Sequence, residues 1–397
     1  MKWEFAILGF KVRLTVLRLI LLAIVALGFV VAVLRFWKGL GAVTALNDQF
    51  PWGLWIGFDV VTGVALAAGA FSTAAAVYVF NLEKFRPILR PAILTGFLGY
   101  LMVIIGLLFD LGRPHLIWHP VIMWQHRSVM FEVAWCVMLY TTVLFLEFSP
   151  VLLERFGFKK AVKVIHSLTM PLVIVGVIFS TLHQSSLGSL FLIVPGKLHP
   201  LWYSSLLPVF FFISAVGVGL SMVIVESFLA AWAFKKAPEM DILPSLAKAI
   251  PVVLGIYFVA RIFDMSVRGT LLQAFDGSFE SKMFLAEILL GVVLPAVFLS
   301  IRRIRTSPAG LFAAAAIAVI GIVFNRLNVA ITGMISSASA PYFPTWMELS
   351  ITAAIVSFGV LAYAFIAENF PVLPFEEHAH GGAGELEHKG SLAGTGK

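Results

Sequence analysis

The stretch Phe109-Asp110-Leu111-Gly112-Arg113-Pro114-His115 places a carboxylate, a guanidinium and an imidazole within six residues, directly after an apolar run. Keeping a charged side chain at membrane depth costs about 2.5–3.5 kcal/mol on insertion scales, so such groups usually serve a function. They can exchange protons with a bound molecule and stabilise negative charge on it. A similar stretch, with an aspartate and an arginine after an apolar run, occurs 154 positions later as Phe263-Asp264-Met265-Ser266-Val267-Arg268. We interpret the two stretches as the polar ends of two helical bundles.

Further ionisable residues are predicted near the same membrane edge. Interfacial positions would explain the long side chains of Arg268 and Arg326, which can reach water or head groups. Interfacial positions do not readily explain acidic residues a turn or more inside a span, because their side chains are too short to reach the interface. The sequence therefore predicts a polar cavity at this edge that binds a polar head group, lined by residues that include Asp59, Asp110, Arg113, Glu132, His183, Arg261, Asp264 and Glu287.

The opposite half of the predicted membrane region carries fewer charges. Glu226 lies some two turns inside the other end of its span, where a buried carboxylate is a candidate proton relay. A structural partner for an arginine or a backbone group is an equally good interpretation. Tyr100 lies two turns inside the same half of another span, with Arg90 at the foot of that span.

Several kinds of cofactor chemistry are not expected. His183 has no second intramembrane histidine at matching depth, so a bis-histidine haem is not predicted. The single cysteine, Cys136, cannot provide the four thiolates of an iron–sulfur cluster or a disulfide framework. No glycine-rich phosphate loop is present. The sequence predicts no metal site on this chain.

Composition places the chain in a membrane. Its 397 residues are 60% hydrophobic and 12% charged, with a mean hydropathy of +0.99. These values are typical of an integral membrane protein. The formal charge of +7 is therefore attributed to cytoplasmic loops rather than to nucleic-acid binding. The first apolar stretch lacks a small-residue cleavage site, so we expect it to be a retained span.

Ten apolar stretches are long enough to cross a bilayer, which takes about 20 residues. Lys and Arg residues in the flanks number 17 at one face and 8 at the other. Since basic flanks remain on the cytoplasmic side, both termini are predicted to be cytoplasmic, in a bacterial inner membrane. The predicted spans are 14–37, 54–80, 92–112, 128–148, 166–190, 205–234, 248–270, 282–301, 308–325 and 348–367.

An internal repeat relates the two charged stretches. Phe109-Asp110 matches Phe263-Asp264 at an offset of 154, and Met130-Phe131 matches Met283-Phe284 at an offset of 153. An offset of four helices preserves their direction, as in parallel repeats. The predicted fold class is all-α integral membrane, with two parallel-repeat four-helix bundles and two peripheral helices. The predicted segments are an N-terminal segment with the first helix (1–53), the two bundles (54–204 and 205–347), the last helix (348–367) and a disordered cytoplasmic tail (368–397).

At this point a family resemblance emerges. Over the whole chain except the tail, the sequence resembles the NrfD/polysulfide-reductase membrane-subunit family, and most of all the HybB type found in periplasmic quinone-linked nickel–iron hydrogenases. The loop from Gly112 to His126 is closer to the pattern of the wider family. The resemblance rests on Phe50-Pro51-Trp52-Gly53, Trp55 to Asp59, Val77-Tyr78-Val79-Phe80-Asn81, Leu89-Arg90-Pro91-Ala92, Phe131-Glu132, Leu146-Glu147-Phe148, His183-Gln184-Ser185-Ser186, His199-Pro200-Leu201-Trp202 and Tyr342-Phe343-Pro344-Thr345-Trp346.

The resemblance implies a cofactor-free membrane anchor that binds menaquinone or ubiquinone near the periplasmic face. A ferredoxin-like iron–sulfur subunit would dock there and receive electrons from a hydrogenase-type catalytic subunit. The polar membrane positions of the family map onto Arg90, Tyr100, Glu132, His183 and Glu226. The expected quinone head lies among Asp110, Arg113, His183 and Glu132, with its ring near Trp52, and Glu226, Tyr100 and Arg90 carry protons between the cytoplasm and the site.

Three other functions remain compatible with the sequence. The chain could be the membrane subunit of a molybdopterin oxidoreductase of the polysulfide, thiosulfate or dimethyl sulfoxide reductase type. The repeat and the buried charges also suit a proton or solute transporter. A purely structural anchor is the third alternative. In none of the redox interpretations is the chain a complete enzyme alone.

Overall fold

The computed structural model describes residues 3–7, 9–50, 52–194, 196–339 and 342–373. Ten helices in this part of the chain are long and apolar enough to cross a membrane, which confirms the predicted all-α class. We number them as spans one to ten in chain order. They are Val16–Lys38, Trp55–Val79, Glu83–Asp110, Val129–Arg155, Thr169–Leu190, Leu207–Phe234, Leu243–Val267, Phe279–Ser300, Pro308–Ile335 and Trp346–Asn369.

Capping residues fix where several spans begin. Ser128 precedes span four and its hydroxyl accepts the Phe131 amide at 3.4 Å. Thr345 precedes span ten and forms a capping box, because its hydroxyl accepts the Glu348 amide while the Glu348 carboxylate accepts the Thr345 amide. Such caps satisfy backbone donors that the first helical turn leaves unpaired.

A short antiparallel hairpin precedes the first span. Strand β1 (Trp3–Ile7) pairs with β2 (Phe10–Leu14). The side-chain amide of Asn369 holds β2 to the end of span ten: the Lys11 amide donates to its Oδ1 at 2.7 Å, and its Nδ2 donates to the Lys11 carbonyl at 3.0 Å. Both ends of the described chain therefore meet at one side of the molecule.

The spans form two rings of four. Spans two to five contact one another in sequence, and span two also contacts span five, which closes the first bundle. Spans six to nine close the second bundle in the same way. Span six packs against spans two and five across the boundary, while span one lies along span ten, and span ten contacts span three. This is the predicted arrangement of two bundles with two peripheral helices.

Small residues bring backbones into direct contact within and between the bundles. A Cβ atom on Gly219 of span six would lie 2.6 Å from the Ala68 carbonyl carbon of span two, and one on Gly69 would lie 2.8 Å from the Gly219 carbonyl oxygen. Gly321 of span nine approaches the Gly291 Cα of span eight equally closely. Close approach through small residues is a common way to pack membrane helices, where burial against lipid drives association poorly.

Polar contacts distinguish two faces of the bundle pair. Arg35 at the end of span one donates to carbonyls at the end of span three, and Trp55 at the start of span two donates to the Glu348 carbonyl at the start of span ten. These helix ends share what we call the upper face. Arg90 at the start of span three pairs with Glu154 at the end of span four, on the lower face.

Several predicted boundaries differ from the structure. Span three begins at Glu83 instead of 92, span four ends at Arg155 instead of 148, and span seven begins at Leu243 instead of 248. Span nine was predicted to end at 325 because Asn325-Arg326 was interpreted as its polar end, yet it continues to Ile335 with Arg326 buried. Span ten runs to Asn369, and Phe370, Val372 and Leu373 beyond it are buried. The rest of the predicted tail, residues 374–397, lies outside the described residues.

Candidate functional site

Tyr100 of span three and His183 of span five form a hydrogen-bonded pair inside the first bundle. The Tyr100 hydroxyl lies 2.9 Å from the His183 Nδ1 atom, and neither side chain has any exposed surface. The ring of Tyr140, from span four, meets the Tyr100 ring edge-on with centroids 4.7 Å apart. Three of the four helices of the bundle thus converge on one phenol–imidazole pair.

The polar atoms around this pair are incompletely satisfied by the protein. Within the described residues, His183 Nε2 and Gln184 Oε1 are buried and have no hydrogen-bond partner. The Ser180 hydroxyl lies beside the hydroxyls of Tyr100 and Tyr140, in weaker contacts. Gln184 uses its other side-chain atom, donating from Nε2 to the Val64 carbonyl at 2.9 Å. Buried polar atoms normally find partners in protein, water or ligand. The first bundle therefore offers donors and acceptors to a small polar molecule.

Depth places the pair within the membrane rather than at its edge. At 1.5 Å per residue, His183 lies about 10 Å below the upper end of span five and Tyr100 about 15 Å below that of span three. Cys136 is buried one turn below Glu132 on span four. Glu132 itself is exposed, because it lies in the first turn of the helix, above the packed part of the bundle.

A second group of polar residues occupies the upper rim between the first bundle and the peripheral spans. Arg35, only 2% exposed, donates from Nε to the Phe109 carbonyl at 2.8 Å and from Nη2 to the Leu111 carbonyl at 2.5 Å. Asp110 lies within electrostatic range of Arg35, and its Oδ1 has no hydrogen-bond partner in the described chain. Asp59 accepts a hydrogen bond from Thr352 at 2.7 Å.

Glu348 ties this rim to the upper loops. Its carboxylate accepts the Ala45 amide at 3.1 Å and the Tyr342 hydroxyl at 2.5 Å, and that hydroxyl accepts the Leu54 amide at 2.9 Å. Burial raises the pKa of the Tyr342 phenol above its ordinary value, so it remains a donor at physiological pH. Peripheral spans one and ten therefore contribute Arg35, Thr352 and Glu348 to the polar rim.

The remaining predicted binding residues at this face do not join the buried pair. Arg113 is exposed in the loop after span three, because the helix ends at Asp110 and the chain turns outward. Trp52 is half-buried and meets Phe191 edge-on, with centroids 5.3 Å apart. The residues predicted to surround one head group are thus distributed between an interior pair, a rim and a loop.

The second bundle contains a denser polar network built around Glu287. This fully buried carboxylate accepts hydrogen bonds from Trp202 Nε1 at 3.1 Å, Asn325 Nδ2 at 3.0 Å and Asn328 Nδ2 at 2.7 Å. Asn328 and Glu287 each adjoin a π-helical turn, Asn328–Thr332 in span nine and Leu289–Val293 in span eight. A π-helical turn changes the direction of the following side chains and often marks functional regions.

Two buried arginines accompany Glu287. Arg326 donates to Asn325 Oδ1 at 2.7 Å and to the Ser214 hydroxyl at 2.7 Å, and its guanidinium lies 3.9 Å from the Phe211 ring centroid. Arg261 donates to the Leu201 carbonyl at 2.6 Å. Both are 1% exposed. Arg326 is thus an interior residue, and its interpretation as a residue that reaches head groups was wrong.

Asp264, which the repeat aligns with Asp110, has its carboxylate occupied. Arg268 donates to Oδ2 from Nε at 2.9 Å and from Nη2 at 2.7 Å, while Ser204 donates to Oδ1 at 2.8 Å. Arg268 also donates to the Pro200 carbonyl at 2.9 Å. The carboxylate holds the segment before span six to the end of span seven.

The lower half contains one buried carboxylate with a partly free head. Glu226 of span six is 7% exposed, accepts the Tyr363 hydroxyl at 2.9 Å on Oε1, and lies beside Thr95 of span three. Its Oε2 has no geometric hydrogen-bond partner. Arg90 lies nearer the lower face and donates to Glu154 at 3.2 Å and to the Pro371 carbonyl at 3.0 Å.

Thr95 links the levels of Glu226 and Tyr100, because Thr95 lies beside Glu226 and belongs to the same span as Tyr100. They are separated by about 7.5 Å along the helix axis. Ser72 and Thr73, on span two of the same bundle, carry buried hydroxyls without a partner in the described chain. The polar groups of the first bundle thus continue from the buried pair toward Glu226.

These features define a multi-pass membrane protein with two polar bundle interiors. Among the described residues, no group of three or more His, Cys, Asp or Glu side chains could hold a metal ion. The family model described as "Polysulphide reductase, NrfD" matches residues 42–338. The chain therefore belongs to the NrfD family, as the resemblance in the sequence indicated.

Curated relatives match most of the chain. A protein of Nitratidesulfovibrio vulgaris (strain Hildenborough) is 45% identical over 361 residues, covering 88% of this chain and 92% of its own. The probable Ni/Fe-hydrogenase 2 b-type cytochrome subunit of Escherichia coli K12 is 36% identical, covering 85% and 87%. The menaquinone reductase integral membrane subunit of N. vulgaris is 30% identical, again covering 85% and 87%.

Several residues of these clusters were missed by sequence reasoning. Arg35, Tyr140, Trp202, Tyr342, Glu348 and Asn328 were not predicted to take part. The pattern Thr345-Trp346-Met347-Glu348 is a capping-box signature that could have located Glu348 at the first turn of its span. The others have no local signature, because their partners lie on distant parts of the chain.

Proposed function

We propose that this chain is the quinone-reactive membrane subunit of a multisubunit respiratory oxidoreductase. It exchanges electrons between an iron–sulfur subunit docked at the upper face and quinone or quinol in the membrane. Membership of the NrfD family supports this role, and so do the names of relatives that are a hydrogenase subunit and a menaquinone reductase subunit. The chain supplies the quinone site and the membrane anchor, while its partners supply the redox centres.

The proposed location is a bacterial inner membrane, with the upper face toward the periplasm and both termini in the cytoplasm. The excess of Lys and Arg in the lower loops supports this orientation. Residues 54–204 form the half that binds quinone, and residues 205–347 form the second half of the scaffold. No haem or iron–sulfur cluster resides on this chain in the proposal.

The Tyr100–His183 pair carries the proposal. Reduction of a quinone to a quinol takes two electrons, which the iron–sulfur partner delivers, and two protons, which the protein must provide. His183 Nδ1 is engaged by the Tyr100 hydroxyl at 2.9 Å, so Nε2 is the ring nitrogen available to a quinone oxygen. A proton can pass through the imidazole as Tyr100 and His183 exchange donor and acceptor roles.

The rim residues have supporting roles in this proposal. Asp110 and Asp59 line the upper approach to the first bundle, and Trp52 supplies an aromatic wall beside Phe191. The exposed side chains of Arg113 and Glu132 lie at the entrance, where they can meet a head group or the docked partner. Asp264 belongs to the scaffold of the second bundle, because its carboxylate oxygens already accept hydrogen bonds from Arg268 and Ser204.

Proton supply is proposed to come from the lower half. Glu226, with Tyr363 and Thr95 beside it, passes protons toward Tyr100 along the partnerless hydroxyls of the first bundle. Arg90 holds Glu154 and Pro371, just after span ten, at the lower face and so shapes the entrance to this route. A chain of buried hydroxyls and carboxylates suits proton movement through a membrane.

The test compares three variants in the assembled complex: two that alter the Tyr100–His183 pair and one control tyrosine substitution. Tyr100→Phe and His183→Gln remove the proposed exchange, and we expect quinone-linked turnover to fall by about a hundredfold, the lower range of general acid–base effects. Tyr257→Phe, which removes a buried phenol in the second bundle, is the control and should retain turnover. Dye-linked activity of the catalytic subunit should be unchanged in all three. Normal quinone turnover in Tyr100→Phe and His183→Gln would refute the assignment.

The partner class is proposed as a nickel–iron hydrogenase, on the strength of the 36% identical relative. A molybdopterin oxidoreductase is the alternative partner. Isolation of the complex through a tag on this chain, followed by identification of the co-purified subunits, decides between them. Recovery of a molybdopterin-binding subunit in place of hydrogenase subunits would overturn the partner assignment while leaving the quinone site testable.

A further inference from the structure

A cavity of about 850 Å³ opens at the lower face, away from the polar interiors described above. It lies between the hairpin, the end of span four, the end of span six and the end of span ten. Its basic lining residues are Lys11, Arg13, Arg155 and Lys236, and its acidic ones are Glu154 and Glu368. Phe234, Ala367, Phe370 and Leu373 give it an apolar wall.

Both carboxylates of the cavity are already paired with cations outside its lining. Arg18 donates to Glu368 through Nη1 at 3.0 Å and Nη2 at 2.7 Å, a two-point contact. Arg90 donates to Glu154 at 3.2 Å. The negative charges of the two acids are therefore largely neutralised by these arginines. The remaining basic side chains give the cavity a positive surface.

Three of the basic side chains are available to a ligand. Within the described residues, Lys11, Arg155 and Lys236 are exposed and form no side-chain hydrogen bond or ion pair. They come from three separate elements: the hairpin, the end of span four and the loop after span six. Exposed basic side chains gathered around an apolar wall suit a ligand with an anionic head and a hydrocarbon body.

We infer that this cavity binds an anionic phospholipid, with its phosphate among Lys11, Arg155 and Lys236 and its acyl chains against the apolar wall. A neighbouring cavity of about 390 Å³ also has a basic lining. Lys159, Lys163 and His166 of the helix Lys159–Ser167 line it together with Glu154. The lipid would fasten the hairpin and the end of span ten to the bundle edge. This inference does not depend on the proposed redox role.

The experiment compares two triple variants of the full-length chain in its isolated complex, after removal of bound lipid. Lys11→Gln/Arg155→Gln/Lys236→Gln removes three charges from the cavity. The matched control, Lys160→Gln/Arg302→Gln/Arg303→Gln, removes three exposed charges elsewhere on the lower face. Binding of short-chain phosphatidylglycerol is followed by native mass spectrometry, with phosphatidylcholine and inorganic phosphate as separate probes.

We expect the cavity triple to weaken phosphatidylglycerol binding at least tenfold and the control triple to change it less than twofold. Phosphatidylcholine should bind weakly to both. Equal losses in the two triples would show general surface attraction and overturn the site. Competition by inorganic phosphate at concentrations similar to those of the lipid would show a free-anion site instead. If lipid bound only after removal of residues 374–397, the chain's own terminus would be the occupant and the proposal would fail.

Should the cavity triple not assemble, the double variant Lys11→Gln/Lys236→Gln keeps the test decisive. Both side chains are exposed, and neither forms a hydrogen bond or ion pair with another described residue, so folding should be preserved. The double variant should lose at least threefold in phosphatidylglycerol binding. Unchanged binding in a folded double variant would refute the inference.

Discussion

The interiors of the two bundles hold polar residues in different ways. In the first, Tyr100 and His183 pair with each other, and the neutral groups around them leave several atoms without a protein partner. In the second, Glu287 accepts hydrogen bonds from three residues, Trp202, Asn325 and Asn328. Asp264 accepts hydrogen bonds from Arg268 and Ser204. The two carboxylates of the second bundle have full sets of donors and hold helices in place, although three nitrogens of Arg261 and Arg326 have no partner. The neutral partnerless atoms of the first bundle are free to meet a substrate. In the proposed function, the first interior is therefore the reactive one and the second is mainly structural.

The largest effect that would test this contrast is expected from Glu287→Ala. The change leaves Trp202, Asn325 and Asn328 without their acceptor, and breaking a buried charged network typically costs about 3–5 kcal/mol. We expect a strongly lowered unfolding temperature or loss of the assembled complex. Tyr100→Phe, the matched change in the first bundle, should unfold near the wild-type temperature. Similar stability losses in both variants would erase the distinction between the interiors.

A smaller effect is expected from the pair of aspartates that the repeat aligns. Asp264→Asn weakens two contacts with Arg268 and should lower stability by about 1.5–3 kcal/mol, the range for hydrogen bonds to charged groups. Asp110→Asn should change stability less, since its Oδ1 has no partner to lose. Thermal unfolding of the two purified variants measures the difference. A larger loss in Asp110→Asn would show that the first bundle also depends on a saturated carboxylate.

The smallest effect is expected at Glu226, whose carboxylate accepts the Tyr363 hydroxyl on Oε1 and lies beside Thr95. Glu226→Gln preserves the acceptor for Tyr363 but cannot release a proton. We expect quinone-linked turnover to fall about tenfold, which is 1.4 kcal/mol in activation free energy, with little change in unfolding temperature. Ser221→Ala, one helical turn or so away on the same span, is the control. Full turnover in Glu226→Gln would remove this residue from the proton route.

The fold was largely predictable because apolar length is a strong, local property of the chain. Ten runs in the sequence correspond to ten spans in the structure. The error at span nine has a physical cause: Asn325-Arg326 looks like a membrane edge, but Ser214, Phe211 and Asn325 satisfy the arginine inside the bundle. A charge marks the end of a span only when no interior partner is available, and partners on other helices cannot be inferred from one segment.

The site was less predictable for the same reason. Asp110 and Arg113 are neighbours in sequence, yet a helix end separates them into rim and loop. Tyr100 and His183 are 83 positions apart in sequence, yet share a hydrogen bond. Their types and depths could be read from the chain, but their pairing required the arrangement of spans three and five. Arg35 and Glu348 were missed because spans one and ten were placed outside the two bundles, away from the predicted cavity.

The contact between Gly69 and Gly219 has a mechanical consequence. Spans two and six meet at the boundary between the bundles with their backbones in direct contact. No side chain lies between them at that point that could rearrange to let the helices slide. A transporter that works by rocking one bundle against the other would have to break this backbone contact in every transport cycle. Any traffic of protons through this molecule is therefore expected to proceed by rearranging side chains and hydrogen bonds within a fixed frame.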